Sequence, residues 1–186
     1  MRGLRSVLSV VGVLVLAVWA GQAPAQTGPQ LDQLFDRLHK TQSEQEAAQI
    51  TRMIWALWTT SDDSNVNELM RQGLIAMQRQ DLDAALDRFD EMVKYAPDFA
   101  EGWNKRATVY YMRGEYQESV ADIERVLELE PRHFGALSGL GMIYEELDRK
   151  DQALRAFEAA LQANPFLPGA KQQIEVLRKQ IKGSPT

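Results

Sequence analysis

Three prolines, Pro97, Pro131 and Pro165, stand 34 residues apart. A fixed period in the range of about 20–50 residues marks a chain built from one repeated unit that buries its apolar face only against its neighbours. Residues 66–99, 100–133 and 134–167 align on this period without a gap. Each proline ends an apolar-periodic stretch, because proline cannot continue a helix. Within each unit small residues recur at one position (Gly73, Ala107, Gly141) and at a second (Ala85, Ser119, Ala153). Two helices joined by a tight turn can approach closely at such points. Gly114 in the middle unit supplies a left-handed helix end.

These positions resemble the tetratricopeptide repeat, whose pattern is W-x2-L-G-x2-Y, then A-x3-F, then P. The first unit offers Leu69, Gln72, Gly73, Ala76, Ala85, Phe89 and Pro97. The second offers Trp103, Arg106, Ala107, Tyr110, Ser119, Ile123 and Pro131, and the third Leu137, Leu140, Gly141, Tyr144, Ala153, Phe157 and Pro165. Gln72 and Arg106 depart from the pattern, which has leucine there. The resemblance implies an all-α fold: a right-handed superhelical solenoid of three helix-turn-helix repeats. It also implies that Trp103 and Tyr110 pack inward.

A solenoid needs covered ends. After Pro165, Ile174, Leu177 and Ile181 form one apolar stripe at i, i+3, i+7, so residues 168–182 are expected to be a capping helix. Pro168 suits its first turn, and residues 183–186 are a tail. Before the array, residues 26–65 read as a helical hairpin. Leu31, Leu34, Phe35 and Leu38 make one stripe; Ala47, Ile50, Ile54, Leu57 and Trp58 make another. Ser43 with Glu46, and Asn65 with Glu68, have capping-box spacing. The hairpin is expected to cover the open front of the first repeat, with Trp55 and Trp58 both packed there or one of them facing a groove or partner.

Residues 1–25 carry Arg2 and Arg5, an apolar run from Val7 to Ala20, and Ala23-Pro24-Ala25. A basic start, a short apolar run and a small-x-small site describe a cleaved secretory signal peptide. The run is short for a membrane span, so no stable span is expected after cleavage. The sequence has no cysteine, which removes disulfides, thiolate metal sites and a cysteine nucleophile. An exported chain of this kind suits a periplasm. The formal net charge of −5 argues against a nucleic-acid partner.

No catalytic arrangement is evident, and neither an enzyme activity nor a cofactor is expected. His39 has Asp36 beside it but no further metal ligands at a useful spacing, and reads as a surface histidine. His133 falls in the turn between the second and third units. The stretch from Asp62 to Glu68 fails as a calcium loop: counting from Asp63, Glu68 stands where glycine is needed and Leu74 where glutamate is needed. Glu145 and Glu146 are adjacent, so on a helix they point about 100° apart. An acid catalyst there would lack a second catalytic group.

The resemblance implies a concave groove lined by the first helix of each unit. In the first unit Met70, Leu74 and Met77 point into it; in the second, Glu101, Asn104, Thr108, Tyr111 and Met112; in the third, Ser138, Met142 and Glu145, with Glu146 beside them. The groove runs from apolar and methionine-rich to small and acidic. Methionine suits adaptable apolar contact, and tyrosine is a common interface anchor. The expected function is non-catalytic: an exported scaffold or assembly factor holding a protein or peptide partner in the groove. The alternative is a homodimer built from the groove or the hairpin, and a further alternative has the hairpin folding over the groove and burying Met70, Leu74 and Met77. Relatives that grip a carboxy-terminal carboxylate use a basic and amide clamp. The matching positions here are Met70, Leu74, Lys105, Gly135 and Gly139, of which only Lys105 is basic, so an acidic chaperone tail is not expected.

Overall fold

The computed structural model describes residues 28–183. The signal peptide expected at residues 1–25 lies outside the described residues. Among these there are nine helices and no strands. The array is three antiparallel pairs: α3 (Ser64–Gln78) with α4 (Leu82–Tyr95), α5 (Ala100–Met112) with α6 (Tyr116–Leu129), and α7 (Phe134–Glu146) with α8 (Lys150–Ala163). Each pair packs on the next, and α9 (Ala170–Gly183) closes the carboxy-terminal end against α8. Ile174 and Leu177 of α9 are buried with Ala153 and Phe157, as the apolar stripe predicts. Pro168 is not in the first turn; it precedes Gly169, whose φ of 76° turns the chain into α9.

The small positions work by admitting a ring. A Cβ on Gly73 would lie 2.5 Å from the Phe89 ring, and one on Gly141 would lie 2.8 Å from Phe157. The middle unit has the larger Ala107 at this position and the smaller Ile123 opposite it, both buried in one cluster. Size is exchanged across the contact between the two helices of a unit. Gly73→Ala should therefore overpack the first unit and cost about 1–3 kcal/mol, read from a urea midpoint.

The turn inside each pair also repeats. Gln80, Gly114 and Asp148 have φ of 59°, 75° and 53°. Glycine occupies this left-handed position only in the middle unit. A side chain there is strained, so Gln80→Gly should stabilise the protein by about 1 kcal/mol, measured as a rise in Tm.

Caps follow local chemistry. Asp63, rather than Asn65, caps α3: its carboxylate accepts from Asn65 N at 2.7 Å. Ser43 accepts from Glu46 N at 3.3 Å and caps the second hairpin helix. Glu46 turns instead to Thr41 and Arg37, so only half of the capping box forms.

The amino-terminal hairpin, α1 (Pro29–Lys40) and α2 (Glu44–Thr59), forms from the predicted stripes but docks elsewhere than expected. Leu31, Leu34, Phe35, Leu38, Ile50, Ile54 and Trp58 form one core with Phe134 and Ala163, flanked by Leu137, Phe166 and Leu167. The hairpin therefore covers the third unit and its junction with the second, not the open front of the first. Three polar links hold it there. His39 bonds the carbonyls of Phe35 and Gln162 at 2.8 and 2.9 Å. Arg132 pairs with Asp32 at 2.9 Å, and Asn164 donates to the Thr51 hydroxyl at 3.3 Å. The reason is supply of apolar surface. Phe134, Phe166 and Leu167 sit at the inter-unit turns, where the solenoid does not bury them itself. The first unit is internally filled by Val66, Met70, Phe89 and Met92.

Candidate functional site: a cavity between α5 and α7

Helical spacing sets Asn104, Thr108, Tyr111 and Met112 on one face of α5, at i, i+4, i+7 and i+8. Ser138 and Met142 stand one turn apart on α7. These six residues line a cavity of about 350 Å³ between the two helices. Its floor is Ala107 with Ser119 and Ile123 of α6. Gly139 of α7 contributes no side chain and leaves Ile123 accessible, whereas the space over Gly135 is taken by Trp55.

The hydroxyls in this wall are already satisfied. Thr108 donates to Asn104 O at 2.8 Å, Ser138 to Phe134 O at 2.8 Å, and Ser119 to Ala107 O at 2.7 Å. Asn104 donates to Glu101 Oε2 at 2.9 Å. What remains facing the space is largely apolar, and Met112 and Met142 at its mouth are 48% and 44% exposed. The Tyr111 ring leans on Tyr116 at 5.8 Å. Burial pushes the Tyr111 phenol up from its ordinary pKa, and the nearby Glu146 carboxylate pushes it the same way.

The other groove positions go elsewhere. Leu74 is exposed on α3, and Met77 is half-buried against the first unit's core. Met70 is buried in that core with Phe89 and Val109, because its face of α3 is covered by the next helices. Glu145 accepts from Gln173 of α9 and so braces the cap. Glu101 is fully buried. Trp103 and Tyr110 are only half-buried: the Arg106 guanidinium lies 4.8 Å from the Trp103 ring and 5.7 Å from Tyr110. Arg106 also grips Asp122 with two bonds, at 2.7 and 2.8 Å, and Asp90 at 2.7 Å. The departure from leucine at this position is an ion-pair bolt joining α4, α5 and α6.

Glu101 belongs to a buried node that the sequence did not announce. His133 caps α7: its Nδ1 accepts from Ala136 N at 3.0 Å. The ring proton is thereby placed on Nε2, which donates to Glu101 Oε2 at 3.1 Å. Lys105 Nζ lies 2.8 Å from Glu101 Oε1. Burial alone would raise the Glu101 carboxyl, but the His133 hydrogen bond and the Lys105 charge hold it below the usual range. Trp58 of the hairpin stacks on His133 at 4.1 Å, with 14° between the rings. Trp55 fills the space above Gly135, where a Cβ would come 2.6 Å from its ring. The one advance signal was Gly135, a glycine near a helix start with two tryptophans to accommodate. Among the described residues no helix is long and apolar enough to cross a membrane.

Known proteins agree with this architecture. A family model described as tetratricopeptide repeat matches residues 70–125 and 106–168. A TPR repeat-containing protein of Rhizobium etli is 37% identical over 167 residues, covering 90% of this chain and 80% of that protein. The Sgt2 TPR domain from Aspergillus fumigatus superimposes with a TM-score of 0.61 at 22% identity, over 67% of this chain and 87% of that one. The first TPR of Spaghetti (RPAP3), bound to the HSP90 peptide SRMEEVD, gives a TM-score of 0.62 at 17% identity, over 66% of this chain and 97% of that one. The period, the small-residue contacts and the matched span make this chain a member of the tetratricopeptide repeat family.

Proposed function

We propose that this protein is an exported, non-catalytic scaffold or assembly factor that holds a protein or peptide partner between α5 and α7. The observation that carries the reading is the cavity of about 350 Å³, whose wall hydroxyls are bonded internally while its methionines stay exposed. An accessible apolar recess with polar groups already satisfied favours apolar side chains of another molecule. The RPAP3 domain holds the HSP90 peptide SRMEEVD. An acidic peptide of that kind is not the partner proposed here. Lys105, the one cation among the positions matching a carboxylate clamp, stands where such a clamp has an amide, is committed to Glu101 and lies over the Trp55 ring.

The test is a pull-down from envelope extract with residues 26–186, against the Tyr111→Ala/Met142→Ala double variant. A partner held by the parent and lost by the folded variant supports the reading. Equal capture by both overturns it. Met142 is exposed and Tyr111 is half-buried against Tyr116, so the double variant should lose about 1–3 kcal/mol of stability and stay folded, checked by thermal melting.

Export to a periplasm rests on Arg2, Arg5, the apolar run and Ala23-Pro24-Ala25. Intact mass of the protein recovered from the envelope should give a chain beginning at Gln26. A full-length mass would overturn cleavage.

A further inference from the structure

On the reading of this cavity as the binding site, its chemical polarity narrows the partner. Its depth is apolar: Ala107 and Ile123 form the floor and Ile143 part of the wall. Thr108, Ser119 and Ser138 direct their hydroxyls to main-chain carbonyls. A polar or charged ligand group inserted here would lose water and gain little in return, whereas an aliphatic or aromatic group gains burial. Glycine at 139 sets the depth. A Cβ there would rest on Ile123 Cδ1 at an ordinary 3.5 Å, so its absence leaves that methyl uncovered for a ligand side chain.

The mouth is acidic. Glu146 is exposed one turn beyond Met142, on the same face of α7. Its neighbour Glu145 is held by Gln173 and faces the cap, so it is Glu146 that stands beside Tyr111. Arg113, at the end of α5, is shared between Glu115 and Asp83, so that cation is not committed to Glu146. The chain as a whole carries a formal charge of −5, which favours a basic partner over an acidic one.

We propose that the partner segment is a short peptide stretch with one apolar anchor (leucine, methionine or phenylalanine) seated over Gly139, and a lysine or arginine within a turn of it, directed to Glu146. Anchor burial supplies most of the affinity. The charge pair at the rim supplies orientation.

A phage-displayed library of random peptides of about 12 residues, panned on residues 26–186, provides the probe. The expected result is enrichment of sequences with an apolar residue and a basic residue within four positions of each other. The most enriched peptide, labelled with fluorescein, should bind Gly139→Leu at least about tenfold more weakly, because the new side chain occupies the anchor's space. Glu146→Gln should weaken the same peptide about threefold, and should leave a version with its basic residue changed to glutamine unaffected. Where circular dichroism finds Gly139→Leu unfolded, Ser138→Leu in the same wall takes its place, with the same expected loss. Three results overturn the proposal: no enrichment, enriched peptides that are acidic, or equal affinity for parent and cavity-blocked variant. The two readings fail separately. Envelope capture that depends on Tyr111 and Met142, without this peptide preference, sinks the partner chemistry alone. Capture independent of those residues sinks the binding site itself.

Discussion

Trp58→Ala should destabilise the protein by about 3–5 kcal/mol, the usual loss for a buried aromatic, and should release the amino-terminal hairpin. Trp58 is 1% exposed and lies where every element of the hairpin contact meets. Its ring stacks on His133 at 4.1 Å and touches Phe134 at 4.9 Å, Trp55 at 5.4 Å and Phe35 at 5.9 Å. Removing it opens a cavity between α1, α2 and α7 that those rings cannot close by small shifts. Two readings distinguish release from general loosening. The urea midpoint should fall by the stated amount, and limited proteolysis should cut at residues 60–63, the segment joining α2 to α3. An uncut segment at an unchanged midpoint would show that the hairpin is held by its polar links instead. Trp58→Phe should be much milder. The indole Nε1 is buried without a hydrogen-bond partner, so the substitution loses area but also removes an unpaired donor.

Glu101→Ala is the second large effect, again about 3–5 kcal/mol, because it removes a fully buried carboxylate and leaves the His133 and Asn104 N–H groups without their buried acceptor. A pH signature accompanies it. In the unfolded chain the carboxyl titrates near its ordinary 4.5; in the folded protein it titrates lower. As pH falls below about 4.5 the unfolded state takes up the proton first, so the stabilisation present at neutral pH is lost through that window. Urea midpoints measured between pH 3 and 7 should show the loss in the parent. Other carboxylates share the acid limb, such as Glu68, which Arg71 holds down at about 2. The difference between the parent and Glu101→Gln isolates the buried group. A difference that stays flat from pH 7 to 3 would mean that Glu101 contributes no such linkage.

Both effects sit where reading the chain in one dimension fails. The helices were legible because their information is local. Stripes such as Leu31, Leu34, Phe35, Leu38 and Ile174, Leu177, Ile181 carry the helical period within a few turns, and a proline every 34 residues punctuates it. That Gly73 and Gly141 mark a close approach of paired helices was legible, since the small positions repeat; that each receives the Phe89 or Phe157 ring of its own unit was not. The left-handed turns at Gln80 and Asp148 were not, because nothing at those residues marks the conformation that Gly114 advertises.

The cavity was half legible. Asn104, Thr108, Tyr111, Met112, Ser138 and Met142 were implied by the resemblance to the repeat family, and they do converge. Glu101 and Met70 share those faces by register but are buried, since register gives direction and not what lies in that direction. Glu101 meets His133, 32 residues away, only when the second and third units stack.

What the sequence determined by itself is the repeat, its helices and the composition of each face, because a period needs only neighbours in the chain to be expressed. What the tertiary structure decided is where the hairpin goes. Its apolar stripe fits any unfilled surface, and the stripe carries no address. The choice fell to Phe134, Phe166 and Leu167, more than 70 residues beyond the hairpin, exposed by the same inter-unit turns that the prolines create. Burying this apolar surface settled the docking, and that surface exists only once the solenoid has formed.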